Sequence, residues 1–199
     1  AKLGLVMAEE RFDQAYYHQY YENPETRAVS PQEQQAQAHF IAAYLRYLNI
    51  EIHSGTDFGC GTGVMLGAFE TEFPQASWTG VEVSAYLCKT YGWHQGSVVD
   101  SAVNPSDLVI CSDVLGYLSP KDCRQALKNL TRATQHVLYL SVLTKEDLDI
   151  CDQDITDMTQ AVRSAAWYKD QLNNDFVNIG GGLFLKRPLD VPVWQMEML

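Results

Sequence analysis

Basic side chains are scarce in this chain: 14 Lys and Arg stand against 25 Asp and Glu, a net charge of −11. No cluster of them exceeds Lys186-Arg187. Proteins that grip a nucleic-acid backbone need Lys and Arg to displace counterions from phosphates, so neither nucleic acid nor an anionic membrane surface is an expected partner. Cysteine is limited to five residues, an odd number, with no C-x-x-C pair. Most sit in apolar runs, where a free thiol behaves as a small buried hydrophobe, and this suits a reducing compartment. No apolar run approaches the ~20 residues of a membrane span. Ala1–Met7 is too short for a signal peptide with its cleavage site, so a cytoplasmic location is the expectation. The five His show no H-E-x-x-H or other ligand spacing, and no metal is expected. Asp152–Asp157 has the acidity of a calcium loop but lacks its sixth-position Gly and twelfth-position Glu. No nucleophile-elbow context surrounds any Ser. Oligomeric state is not legible.

What is present suits one packed α/β domain: 199 residues, 46% of them hydrophobic. Residues 9–29 are aromatic and polar, with Phe12, Tyr16 and Tyr20 four apart on a helix face. Ser30-Pro31-Gln32-Glu33 reads as a helix start with a capping box, and Ala36, Phe40, Ala43, Tyr44, Tyr47 and Leu48 continue an apolar stripe. From Ser54 onward strands and helices alternate. Strands are expected at Thr56–Phe58, Trp78–Val83, Ser97–Val99, Leu108–Cys111 and Val137–Val142. Helices are expected around Leu66–Phe73, Ser84–Tyr91, after Ser119-Pro120, and over 158–172. Phe176–Ile179 and Leu183–Leu185 flank Gly180-Gly181-Gly182 as a closing hairpin. This pattern predicts a Rossmann-like, mostly parallel sheet with one closing antiparallel strand and helices on both faces. The division is an N-terminal helical and aromatic cap over 1–50, a core over 51–188 and a tail over 189–199.

Ligands of such sheets bind where strands end, near the switch in strand order. At the first strand-to-helix turn stands Asp57-Phe58-Gly59-Cys60-Gly61-Thr62-Gly63. Its glycines let backbone approach a ligand closely. A dinucleotide fingerprint counted from Gly59 would need Gly or Ala where Val64 stands. Asp57 would also repel a pyrophosphate and suits a cationic ligand. Glu82, ending the next strand before Val83, offers two acceptor oxygens to ribose hydroxyls.

With these residues the sequence resembles the class I S-adenosylmethionine-dependent methyltransferases, from about Ser54 to Arg187. Asp57–Gly63 matches the family's D-x-G-x-G-x-G motif, and Glu82 its ribose-binding acid. Asp107–Leu118 is similar to the fourth-strand motif of the small-molecule branch. There the segment after the strand, Asp113 here, holds the methionine end of the cofactor. The segments around Tyr20-Tyr21, Tyr91-Gly92-Trp93, Ala166-Trp167-Tyr168 and Gly180–Leu183 look like a group of uncharacterised bacterial methyltransferases. The resemblance implies S-adenosylmethionine as cofactor, held by Asp57, Gly59, Cys60, Gly61, Gly63, Glu82, Val83 and Asp113, and a small-molecule acceptor.

Two departures stand out. Ser97 occupies the place of an adenine-binding Asp, which leaves adenine to Ser97 and the Val98 amide, with Asp100 assisting. Tyr117 stands where many relatives have His, and a phenol with pKa near ~10 is a poorer base. Segments before the first strand often cap the cofactor in this family. That gives Tyr20 a place over the cofactor and Arg27 a carboxylate to grip with its guanidinium. Tyr117, Asp113, the N-terminal tyrosines and Thr144–Asp157 are the candidates for contact with the acceptor, with no catalytic base assigned. The acids between Lys145 and Asp157 suggest a cationic or neutral acceptor rather than an anionic one. The simpler reading, a solvated loop, is preferred. A non-catalytic S-adenosylmethionine-binding protein is the alternative, ahead of a nicotinamide-dependent oxidoreductase.

Overall fold

A computed structural model describes residues 11–27, 29–154 and 156–193. The expected absence of a leader at Ala1–Met7, the first residues of the cap and the end of the tail lie outside these. Seven strands form one sheet: β1 (Ser54–Phe58), β2 (Ser77–Glu82), β3 (His94–Gln95), β4 (Ser106–Ser112), β5 (Thr134–Ser141), β6 (Phe176–Asn178) and β7 (Leu183–Lys186). Their order is β3-β2-β1-β4-β5-β7-β6. The first five run parallel, and β7 pairs antiparallel with both β5 and β6. The order reverses between β1 and β4, so a crevice opens above their C-terminal ends.

Helices cover both faces, and the central strand β4 is buried along nearly its whole length for that reason. On β4, Leu108 and Ile110 join one core with Ile41, Leu45, Met65 and Phe69. Val109 and Cys111 join the other with Leu127, Leu130, Tyr168 and Phe176. Six α-helices are described beside a short 3-10 turn: α1 (Gln14–Tyr17), α2 (Pro31–Tyr47), α3 (Val64–Glu72), α4 (Ala85–Tyr91), α5 (Pro120–Ala133) and, after the long loop that follows β5, α6 (Ala165–Leu172). The starts of α2 and α5 follow from sequence. Ser30 Oγ accepts from Glu33 N at 3.2 Å while Glu33 accepts from Ser30 N at 2.7 Å. Ser119 Oγ accepts from Asp122 N at 3.1 Å ahead of Pro120. Among the described residues no helix is long and apolar enough to cross a membrane.

Four expectations are corrected. The third strand is only His94–Gln95, and Ser97–Val99 lies beyond it, where Val98 turns into the core and its carbonyl accepts from Asn129 Nδ2 at 2.9 Å. The helix expected over 158–172 begins only at Ala165. Residues before it are held in loop form by a bridge between Arg163 and Thr144 and by the Ala161 N–H bonded to Gly116 O at 2.7 Å. α2 buries Ala38, Ile41, Ala42 and Leu45, not the expected stripe, and leaves Phe40 and Tyr47 50% and 66% exposed. Small and aliphatic residues let the helix lie close to the sheet, while Phe40, Tyr44 and Tyr47 stack along its outer side. Finally, the N-terminal helix is not regular: α1 passes into a π-helical turn over His18–Glu22, which crowds its tyrosines onto neighbouring directions.

Candidate active site

The turn after β1 is built for close approach. Gly59, Gly61 and Gly63 all have positive φ, and a Cβ on Gly59 would lie 2.3 Å from Val114 Cγ2. Trp93 supports the turn from beneath, donating Nε1–H to Gly61 O at 3.0 Å and lying against Gly63 and Gly80. Asp57, at the end of β1, is 3% exposed, and its carboxylate accepts no hydrogen bond among the described residues. Burial, followed by the charge of Glu82, pushes it from 3.8 to about 7.

Glu82 is as deeply buried but fully engaged. One oxygen accepts from Gly61 N at 2.9 Å; the other accepts from Val83 N at 2.8 Å, Ser84 N at 2.9 Å and the Tyr17 hydroxyl at 3.4 Å. The carboxylate thus ties the end of β2 to the glycine turn. Tyr17 reaches it from the N-terminal segment.

Across the crevice, Asp113 follows β4 with φ 56. A side chain with a Cβ seldom adopts this left-handed conformation; Asp and Asn do so more readily than most. The Asp113 N–H donates to Ser141 O at 2.9 Å, which fixes the turn to β5. Its carboxylate accepts from the Ser112 and Ser141 hydroxyls at 3.2 and 3.4 Å. Burial raises its pKa against those two bonds.

A cavity of about 470 Å³ opens over β1, β4 and β5. Asp57, Gly59, Cys60 and Gly61 form its floor with Asp113, and Tyr16, Tyr20, Tyr21 and Tyr117 wall it. The Tyr16 and Tyr117 hydroxyls are 2.9 Å apart. Burial raises the Tyr16 hydroxyl to about 12 and drives Tyr21 and Tyr117 higher still, so none of these phenols is poised as a base near neutral pH. Asp157 closes one end. Burial works against its charge, but hydrogen bonds from Thr159 and Tyr117, with the charge of Arg11, hold it below the usual carboxylate range. Arg11 lies 3.3 Å from Asp157 and 4.6 Å above the Tyr117 ring.

The other expected positions fall outside the cavity. Ser97 Oγ accepts from Val99 N at 3.2 Å, and Val98 is buried. Gly63 caps α3. Arg27 does not line the cavity either; its charge acts on Glu33. Of the loop acids, Glu146 receives Ala165 N, Asp147 receives Thr144 N and Asp152 receives Asp154 N; only Asp157 lines the cavity. Sequence reasoning passed over Tyr16, Tyr17, Arg11 and Gln160 as individual site residues. The 3.6-residue spacing pointed to Tyr16, but nothing in the order of residues marks Arg11 or Gln160. A larger hollow of about 600 Å³ beside the β6–β7 hairpin contains none of the motif residues.

Residues 56–136 match the family model described as a methyltransferase domain. No curated protein matches the chain in sequence. Among solved structures the chain is similar to DesVI of Streptomyces venezuelae, at 18% identity and TM-score 0.59, over 78% of this chain and 92% of that one. It is also similar to the plantazolicin methyltransferase BpumL in complex with SAH, at 16% identity and TM-score 0.58, over 74% and 67% of the two chains. A third is CalS10, an amino pentose methyltransferase from Micromonospora echinaspora with SAM bound, at 22% identity and TM-score 0.51, over 68% and 59%. The chain thus spans less than two thirds of CalS10 but nearly all of DesVI.

Proposed function

We propose that the chain is a class I methyltransferase that transfers the methyl group of S-adenosylmethionine to a small molecule seated in the tyrosine-walled cavity. The observation that carries this reading is the buried Asp57 carboxylate beside the positive-φ glycine turn. A buried carboxylate without a donor is costly, and a ligand bearing an ammonium and a sulfonium relieves it. At Gly59, Gly61 and Gly63 the turn has no side chain between its backbone and that ligand. Asp57, Gly59, Cys60 and Gly61 would hold the methionine end beside Asp113. Glu82 and Val83 would meet the ribose, and Ser97 and Val98 the adenine. Tyr20, which lines the cavity, would cover the cofactor, whereas Arg27 is not among the lining residues.

The cofactor supplies an electrophilic methyl group on a sulfonium. The protein's task is to align the acceptor in line with it and to exclude water. Tyr16, Tyr20, Tyr21 and Tyr117 supply the walls that do so. An oxidoreductase reading fits poorly, because the Asp57 charge beneath the turn opposes a pyrophosphate. Two further parts belong to the same proposal: the absence of nucleic acid from its partners, supported by the deficit of basic residues, and cytoplasmic residence, supported by five free cysteines.

Calorimetry with S-adenosylmethionine and with NAD tests the reading. Micromolar binding of S-adenosylmethionine and none of NAD is expected; the reverse would overturn it. Binding without turnover across a broad metabolite panel would instead favour a non-catalytic binding protein.

A further inference from the structure

The charges facing the cavity can be accounted for one by one. Among the described residues no Lys, Arg or His lines it, whereas four carboxylates do: Glu33, Asp57, Asp113 and Asp157. Glu33 is committed to Ser30 in the capping box. Asp157 is committed to Arg11 and Thr159. Asp57 lies against the glycine turn that receives the cofactor. Asp113 remains, bonded only to the neutral hydroxyls of Ser112 and Ser141. Tyr21 of the N-terminal segment, Cys111 on β4 and Tyr139 on β5 feel its charge, and none of these three is a cation. Asp113 is also held in left-handed backbone geometry at the end of the strand beside the glycine turn, and such strain persists where the surroundings enforce it. Around it stand Tyr16, Tyr20, Tyr21 and Tyr117, and aromatic faces attract cations. At the far end of the same cavity this chemistry already holds a cation: the Arg11 guanidinium rests over the Tyr117 ring and against Asp157.

We infer that the methyl acceptor is a small primary or secondary amine whose ammonium group is seated on the Asp113 carboxylate within the tyrosine walls. This rests on the methyltransferase reading above. The Asp113 carboxylate takes one proton from the ammonium, and the nitrogen lone pair so released forms the new N–CH3 bond. The C–S bond breaks with its electron pair left on sulfur, giving the neutral thioether, and Asp113 returns its proton to water. The burial that disfavours the ionised Asp113 side chain suits it to receive that proton. Anionic acceptors are excluded by the same uncompensated charge.

The test uses the whole chain and a panel in which each carbon skeleton occurs as amine, alcohol, carboxylic acid and phosphate monoester. Thioether release and product mass are read for each. S-adenosylmethionine affinity is measured first by calorimetry; its absence would sink the methyltransferase reading itself. Given binding, turnover confined to the amines is expected. Turnover of alcohols, acids or phosphate esters with the amines inert, or of no class at all, overturns the inference. The Asp113→Asn variant keeps a residue that tolerates left-handed backbone. It should lose far more in amine kcat/KM, about 100-fold, than in S-adenosylmethionine affinity. Its remaining activity should climb with pH as free amine accumulates in solution. A variant that loses cofactor affinity while keeping acceptor kinetics would place Asp113 on the cofactor instead and end the proposal.

Discussion

At the scale of single residues, the chain places a carboxylate where burial opposes its charge. Asp57 titrates at about 7 in the folded chain against an ordinary 3.8. The folded state therefore holds a proton that the unfolded chain has released, so this group's contribution is favourable below about pH 4 and is lost as pH rises toward 7. Asp57→Asn removes the penalty. Without ligand it should melt several degrees above the parent at pH 8 and level with it at pH 4, and it should fail to bind S-adenosylmethionine. Equal melting temperatures at pH 8 would show that the carboxylate is not strained by its burial. Glu82 calls for a gentler substitution. Alanine would strand Gly61 N, Val83 N and Ser84 N, whereas Glu82→Gln retains one acceptor oxygen. A lost charge-assisted hydrogen bond is worth about 1.5–3 kcal/mol, so Glu82→Gln should weaken cofactor binding tenfold or more while the protein stays folded. Unchanged affinity in calorimetry would remove Glu82 from the ribose role.

Among the elements, those with local punctuation were legible and those fixed from a distance were not. The serine-proline starts of α2 and α5, the glycine turn after β1 and the apolar run of β4 carry their signals within a few residues. The 142–164 loop does not. Arg163 is buried and donates to Leu115 O at 3.2 Å, Ala161 O at 3.0 Å and Leu118 O at 2.5 Å, which pins the loop to the turn after β4. No pattern near Arg163 announces partners some 45 residues away. The helical periodicity of 158–164 lost to these contacts, as local propensity often does to tertiary ones. The same remoteness hid the meeting of the Tyr16 and Tyr117 hydroxyls. Replacing Arg163 with Met should leave those carbonyls unpaired at a cost on the order of 2–4 kcal/mol. It should also raise the acceptor KM more than the cofactor Kd. Denaturant melts and steady-state kinetics of Arg163→Met would show whether the loop matters to the acceptor side; equal losses on both sides would say it does not.

Over the whole molecule, the charge of −11 and the sheet's strand order act together. The order fixes where the crevice opens; composition gave the charge, and the alternating elements predicted a mostly parallel sheet without its strand order. The cavity's own acids add to a field that already favours cations. Acceptor kcat/KM should therefore fall as ionic strength rises from about 10 to 150 mM, where the screening length shortens from ~30 to ~8 Å. An uncharged acceptor would be indifferent to salt, which is a direct check in one titration. The N-terminal segment lies across this crevice, fastened on one bank where Ser84 Oγ donates to Phe12 O at 2.6 Å and Tyr17 meets Glu82, and on the other where Arg11 meets Asp157. A bridge moored on both banks imposes a sequence on traffic. The ribose end must pass before Tyr17 settles, and the tyrosine wall that receives an acceptor is complete only afterward. Initial-rate kinetics should then show compulsory order, with the thioether product competing against S-adenosylmethionine alone. Random order would mean that the bridge lifts one mooring at a time.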